Sequence, residues 1–316
     1  MGITIGSGTF STVEEAGIIN GTDCVLKSIP ISYCASADAR GTLKHAFREI
    51  LALRCLTESS RIVTLVEARS TSSAIHVYLE RLDLTLAELI VHADEPLLSS
   101  VIEHVARCIA EALNECRIAR VVHRDVKPSN ILLSRSGGVV KLCDFGLARR
   151  LSDDAKNQIF TPDVGTLWYK PMEVLLNSTI QSHAFDIWSF GCVMGEMHRL
   201  RPLFPGSVSV EQLFLIQDCL GPLNTSTWSK YAEICKDANK IVFDVRGYGL
   251  ELLLPNIDSC LYNMIAGCLE YDPQERISAQ KILNLLGPTA TDHTEFSDAC
   301  TKIMNESSLQ LYTRNN

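Results

Sequence analysis

The 316-residue chain has no surplus of positive charge: 29 Lys and Arg stand against 37 Asp and Glu, a net charge of -8. It therefore lacks the electrostatic footprint of a nucleic-acid binder and the polybasic face of a protein drawn to anionic membranes. No apolar run approaches the roughly 20 residues that span a bilayer, and the start carries no charged-then-apolar leader. The 12 cysteines are scattered, with no C-x-x-C pair and no zinc-finger grouping with histidine. That excludes the common zinc modules and points to reduced thiols filling cores, in the cytoplasm or nucleus. A G-x-x-x-x-G-K-[ST] loop is also missing, which removes the P-loop nucleotide enzymes. Apolar residues at 46% and charged residues at 21% make an ordinary globular balance. The length suffices for two lobes with separate cores, or for one large domain.

Residues 3–13 (ITIGSGTFSTV) set Gly6 and Gly8 two apart between apolar residues, then return to a β-branched run. A plain hairpin turn accounts for the spacing. So does a loop that covers phosphates, with glycine N–H groups approaching ATP and Val13 capping the adenine. The strand CVLKSI (24–29) carries Lys27, at the distance past the glycines where a lysine reaches the α- and β-phosphates. Residues 43–56 predict a helix with Leu43, Phe47, Ile50 and Leu51 as one apolar stripe, leaving Glu49 on a different face as the carboxylate partner of Lys27. After a strand at 75–79, Glu80, Arg81 and Leu82 form a connection whose backbone offers donors and acceptors to an adenine edge. Ser100 with Glu103 predicts a capping box for a core helix whose stripe runs from Val101 to Cys116.

The centre of the chain holds HRDVKPSN (123–130) and KLCDFGLAR (141–149). It reads as strand, loop, strand, a Gly137-Gly138 turn, strand and loop. Asn130 and Asp144 are expected near opposite ends of one small ribbon, facing a shared cleft. Within this span lie a carboxylate able to receive a hydroxyl proton (Asp125), a lysine (Lys127), and an amide and carboxylate able to hold metal (Asn130, Asp144).

In order and spacing, GSGTFSTV, VLK, FRE, HRDVKPSN, DFG and YDPQERIS resemble the eukaryotic protein kinases, from residue 3 to about residue 286. The resemblance implies an α+β, bilobal fold: a β-rich N-lobe at 1–82, a larger helical C-lobe at 83–287, an ATP cleft between them, and a polar tail at 288–316. The tail is expected to fray, with one helix near 294–304. By the implied roles, Asp125 accepts or orients the proton of a protein Ser/Thr hydroxyl, Lys127 steadies the γ-phosphate, and Asn130 and Asp144 hold Mg²⁺. Lys27 paired with Glu49 places the ATP, and Val25 lies under the adenine. His123 is structural, Asp186 caps internal backbone, and Arg276 pairs with Glu173. Residues 147–173 correspond to an activation segment, with Thr161 the phosphorylated position and Arg48, Arg124 and Arg149 receiving its phosphate.

TLWYKPMEVLL, FREI and FPG are most similar to the cyclin-dependent kinases. LKHAFRE stands where cyclin-binding members have P-S-T-A-I-R-E, which leaves a cyclin-like partner open. Phe10 replaces an inhibitory tyrosine, and with DVGT this resembles the CDK-activating kinases, including fungal single-subunit types. A cyclin-dependent kinase is thus a candidate protein substrate. Gly165 and Lys170 bear on whether proline follows the phosphoacceptor. Ser11 at the third glycine position, Val25 and KPME motivate the alternative, a nucleotide-binding pseudokinase or scaffold.

Overall fold

The computed structural model describes residues 4–8, 11–31, 39–152, 165–178, 181–228, 243–288 and 293–314. The N-terminal part is an antiparallel five-stranded sheet of β1 (Thr4–Gly8), β2 (Ser11–Ile19), β3 (Thr22–Pro30), β4 (Leu65–Ser70) and β5 (Ala74–Glu80), in the order β1-β2-β3-β5-β4. β5 shows why: Ile75, Val77 and Leu79 alternate inward and His76, Tyr78 and Glu80 lie between them, the period of a strand with one covered face. That face is covered by α1 (Ala39–Cys55).

The seating of α1 differs from the expected stripe. Phe47 and Leu51 are 56% and 61% exposed, while Ala46, Glu49, Ala52 and Leu53 are buried and Leu43 and Ile50 half-buried. Small residues bring α1 close to the sheet, and the ion pair described below holds Glu49 inward, so the helix is turned away from its most apolar side.

Beyond the sheet, β6 (Leu84–Thr85) leads into α2 (Leu86–His92), opened by a complete capping box between Thr85 and Glu88. α3 (Ser99–Ile118) forms the centre of the helical part, and Val101, Val105, Cys108, Ile109, Ala112, Leu113 and Cys116 are all buried. Its expected box is absent: the helix starts two residues earlier, Leu98 occupies the cap position without a side-chain bond, and the Ser100 hydroxyl bonds Glu295. The reach to a distant helix has replaced the local cap.

β7 (Val121–Val122) precedes the 123–130 loop, and β8 (Ile131–Ser134) and β9 (Val139–Leu142) form the ribbon, joined to β6 as β6-β8-β9. Both turn glycines have positive φ, and a Cβ on Gly138 would come within 2.7 Å of His293. Only glycine fits that approach. Because Ile131 pairs with Leu142, Asn130 and Asp144 leave the same end of the ribbon and not opposite ends. Antiparallel pairing sends one strand's start and the other's finish to one place. β10 (Arg149–Arg150) then pairs with β7.

α4 (Met172–Leu175), α5 (Ala184–Arg199) and α6 (Ser209–Leu220) follow. α5 is buried nearly all round. Arg276 Nη1 and Nη2 each donate to Glu173 at 2.7 Å, the pair expected from the sequence. The helix expected near 294–304 is present and longer, spanning Thr294–Arg314, with Phe296, Cys300 and Ile303 buried against α2 and α3, so this part of the tail is anchored and not frayed. Among the described residues, no helix is long and apolar enough to cross a membrane.

Candidate active site

The site forms where the sheet, α1 and the open end of the β8–β9 ribbon meet, around a cavity of about 440 Å³ lined in part by Lys27, Glu49, Asp125, Lys127, Asp144 and Thr166. Strand register supplies the upper wall. Gly6 pairs with Val13, Gly8 with Ser11, and Val13 with Lys27. Directly paired residues share a sheet face, as do residues two apart. Val13, Val25 and Lys27 are therefore on one face, with Val25 opposite Leu79 and Lys27 opposite Val77.

Lys27 Nζ donates to both Glu49 oxygens at 2.9 Å and to Asp144 Oδ1 at 3.0 Å. Burial acts against the ammonium, but the two carboxylates outweigh it and raise the Lys27 pKa. Burial also acts to raise Asp144, and Lys27 more than offsets this, so the carboxyl titrates below the ordinary aspartate value. Both groups are charged at neutral pH.

At the connection after β5, the Glu80 N–H donates to Thr64 O and its carboxylate takes Lys141 and Thr64. The Arg81 N–H goes to Asp23 O and the Asp83 N–H to Leu133 O. The Leu82 N–H has no hydrogen bond among the described residues.

The 123–130 loop is fixed from beneath. Asp186 accepts the His123 and Arg124 N–H groups, each at 2.8 Å, and His123 Nδ1 accepts the Asp125 N–H at 3.2 Å. Above this, Asp125 is surrounded by donors. Lys127 Nζ is 2.7 Å from Oδ2, Asn130 Nδ2 donates to Oδ2 at 3.0 Å, and the Thr166 N–H and hydroxyl donate to Oδ1 at 2.9 Å. Lys127 also donates to Thr166 Oγ1 at 2.9 Å. Thr166 is the residue that motif reading passed over. Its signal was its place in G-T-L-W-Y, directly after a glycine that turns the chain back over the loop. Gly165 has φ +82°, and a Cβ there would meet Arg124 O at 2.5 Å.

Asn130 spends its amide hydrogens on the Asp125 carbonyl and carboxylate, leaving the lone pairs of its amide oxygen to ligate a metal. With the Asp144 carboxylate this is a hard-oxygen set that suits a small divalent cation.

The three arginines also converge. Arg124 donates Nε and Nη2 to Leu147 O and Nη1 to Gln181. Its pKa is lowered to about 10 by burial and then by Arg149 and Arg48. Arg48 is lowered by burial and by Arg149. Arg149 Nε is buried without a hydrogen-bond partner among the described residues. Thr161 lies outside the described residues.

A core of acid, lysine, amide and second acid beneath a glycine-bearing sheet defines a class, and residues 2–285 match the family model described as protein kinase domain. The chain belongs to the protein kinase family and is an ATP-dependent Ser/Thr kinase of the cyclin-dependent-kinase-like kind. Cyclin-dependent kinase 20 of Homo sapiens is 34% identical over 77% of this chain and 70% of its own length. Cyclin-dependent kinase 2 of Caenorhabditis elegans is 33% identical over 89% of this chain and 75% of its own.

Proposed function

We propose that the cavity transfers the ATP γ-phosphate to Ser/Thr hydroxyls through Asp125, in a cleft between an N-lobe at 1–82 and a C-lobe at 83–287. The observation that carries this is the ring of donors on Asp125. Its two oxygens are held by Lys127, Asn130 and Thr166, so the carboxylate is aimed before substrate arrives and pays little ordering cost at the moment of reaction. Asp125 takes or orients the hydroxyl proton, and Lys127 lies within reach of both Asp125 and the incoming phosphate. Lys27, held by Glu49, meets the α- and β-phosphates. Gly6 and Gly8 cover them, Val13 and Val25 flank the adenine, and Glu80 and Leu82 border its edge through backbone. Asn130 and Asp144 would hold Mg²⁺, which supplies positive charge around the phosphates.

Phosphorylated Thr161 is the anion for Arg48, Arg124 and Arg149, three cations held together against their mutual repulsion. The exposed Phe47 and Leu51 support a protein partner on α1, cyclin-like in position. The left-handed Gly165 supports proline after the acceptor, and a cyclin-dependent kinase activation segment is the protein substrate we favour, in the cytoplasm or nucleus. The test is phosphate transfer from ATP to a generic Ser/Thr peptide and to that segment, before and after phosphatase treatment. Transfer that falls on dephosphorylation and recovers Ser/Thr-Pro over Ser/Thr-Ala peptides is expected. ATP binding with no transfer to either would make the chain a scaffold.

A further inference from the structure

Ser11 stands where the glycine pattern of the family has its third glycine, yet the backbone there has no need of one. The residue opens β2 without a positive φ, so a side chain brings no strain. Its direction follows from register. Val13 is opposite Lys27 and Thr12 opposite Ser28, and residues two apart on a strand share a face. Ser11 is therefore on the face that carries Val13, Val25 and Lys27, and it lines the catalytic cavity with Ile29, Lys127 and Thr166. That face runs in levels along β2 and β3. Val25 forms the first, Val13 and Lys27 the second, and Ser11 and Ile29 the third, about 7 Å beyond Val13 along the strand. The third level adjoins the turn at which Ser11 pairs with Gly8.

With adenine at the first level and the α- and β-phosphates at Lys27, the third level falls to the terminal phosphate. We propose that the Ser11 hydroxyl donates to an oxygen of the ATP γ-phosphate, so that the cleft discriminates ATP from ADP. This rests on the nucleotide placement given under the proposed function and adds a residue to it. The nearby cations are already engaged, Lys27 with Glu49 and Asp144 and Lys127 with Asp125 and Thr166. A hydroxyl adds a directional donor without adding charge, and its bond to an anionic oxygen is stronger than one between neutral groups. ADP has no acceptor at this level. Serine in place of glycine is then a gain in nucleotide selectivity and not a mark of lost turnover.

The test is calorimetric titration of Mg-ATP and of Mg-ADP into the full chain and into two variants. Ser11→Ala keeps the Cβ and removes the hydroxyl. It should weaken ATP about tenfold and leave ADP unchanged. Ser11→Thr restores a hydroxyl on a residue suited to a strand, and should recover the wild-type ratio of the two affinities. Equal weakening of ATP and ADP in Ser11→Ala would overturn the proposal, because a misplaced loop loses both. So would an unchanged affinity for ATP. Phosphate found on Ser11 after incubation with Mg-ATP, and absent in Asp125→Asn, would overturn it too, since the hydroxyl would then be an acceptor. Peptide phosphorylation separates this proposal from the reading beneath it. Transfer by a wild type whose ATP-to-ADP ratio Ser11→Ala does not move defeats the role of Ser11 alone, whereas a wild type that binds neither nucleotide defeats both.

Discussion

Two neighbouring regions, the 123–130 loop and α1, are held in opposite ways. The loop is fixed by polar bonds, with Asp186 below and Lys127, Asn130 and Thr166 above. α1 is fixed by a narrow buried strip of Ala46, Ala52 and Leu53 and one ion pair, and leaves Phe47 and Leu51 in solvent. A loop specified by many directional bonds can have only one arrangement. A helix with apolar residues on two sides has a choice of face, and the choice is made by the partner that covers it.

Breaking the ion pair that seats α1 should have the largest effect. Glu49→Ala leaves Lys27 without its buried partner, which costs about 3–5 kcal/mol. Lost stability by denaturant melt and lost nucleotide affinity should appear together. Next is Leu53→Ala on the buried strip, expected to cost about 2–5 kcal/mol. Thr166→Val keeps the shape but removes the hydroxyl bonds on the loop side. It should cost about 1–3 kcal/mol in transfer rate, with ATP affinity held. Phe47→Ser and Leu51→Ser on the exposed face should each change stability by less than ~0.5 kcal/mol, while any partner-dependent activation falls.

The smallest effect lies at the tail. His104 Nε2 donates to Gly138 O at 2.7 Å, and its ring lies tilted against that of His293 with centroids 4.5 Å apart. Burial holds its pKa below the ordinary value, so the unfolded chain takes the proton first. The contribution is complete above the unfolded pKa of ~6.5 and is lost as pH falls through the lower folded one. Hydrogen exchange in the C-terminal helix should therefore speed up below that pH, and His104→Gln should flatten the dependence.

The sequence was most legible where chemistry demands fixed residue types in a short span. Lys27, Glu49, Asp125, Lys127, Asn130 and Asp144 all line or border one cleft. It was least legible where tertiary contact chose between local options. Ser100 had a local cap available and bonded Glu295 instead. Phe47 and Leu51 fitted a helical period that the sheet did not use. Thr166 is remote in sequence from the loop it completes, and no local pattern links them. The anchors Phe296, Cys300 and Ile303 are sparse by composition but lie on one helical face.

Single-turnover transfer by purified Asp125→Asn, with Mg-ATP affinity measured on the same sample, should show nucleotide binding at the wild-type level and a rate lower by about 10²–10⁴-fold. Transfer at the wild-type rate would contradict the assignment of Asp125 as the acid–base group of the site.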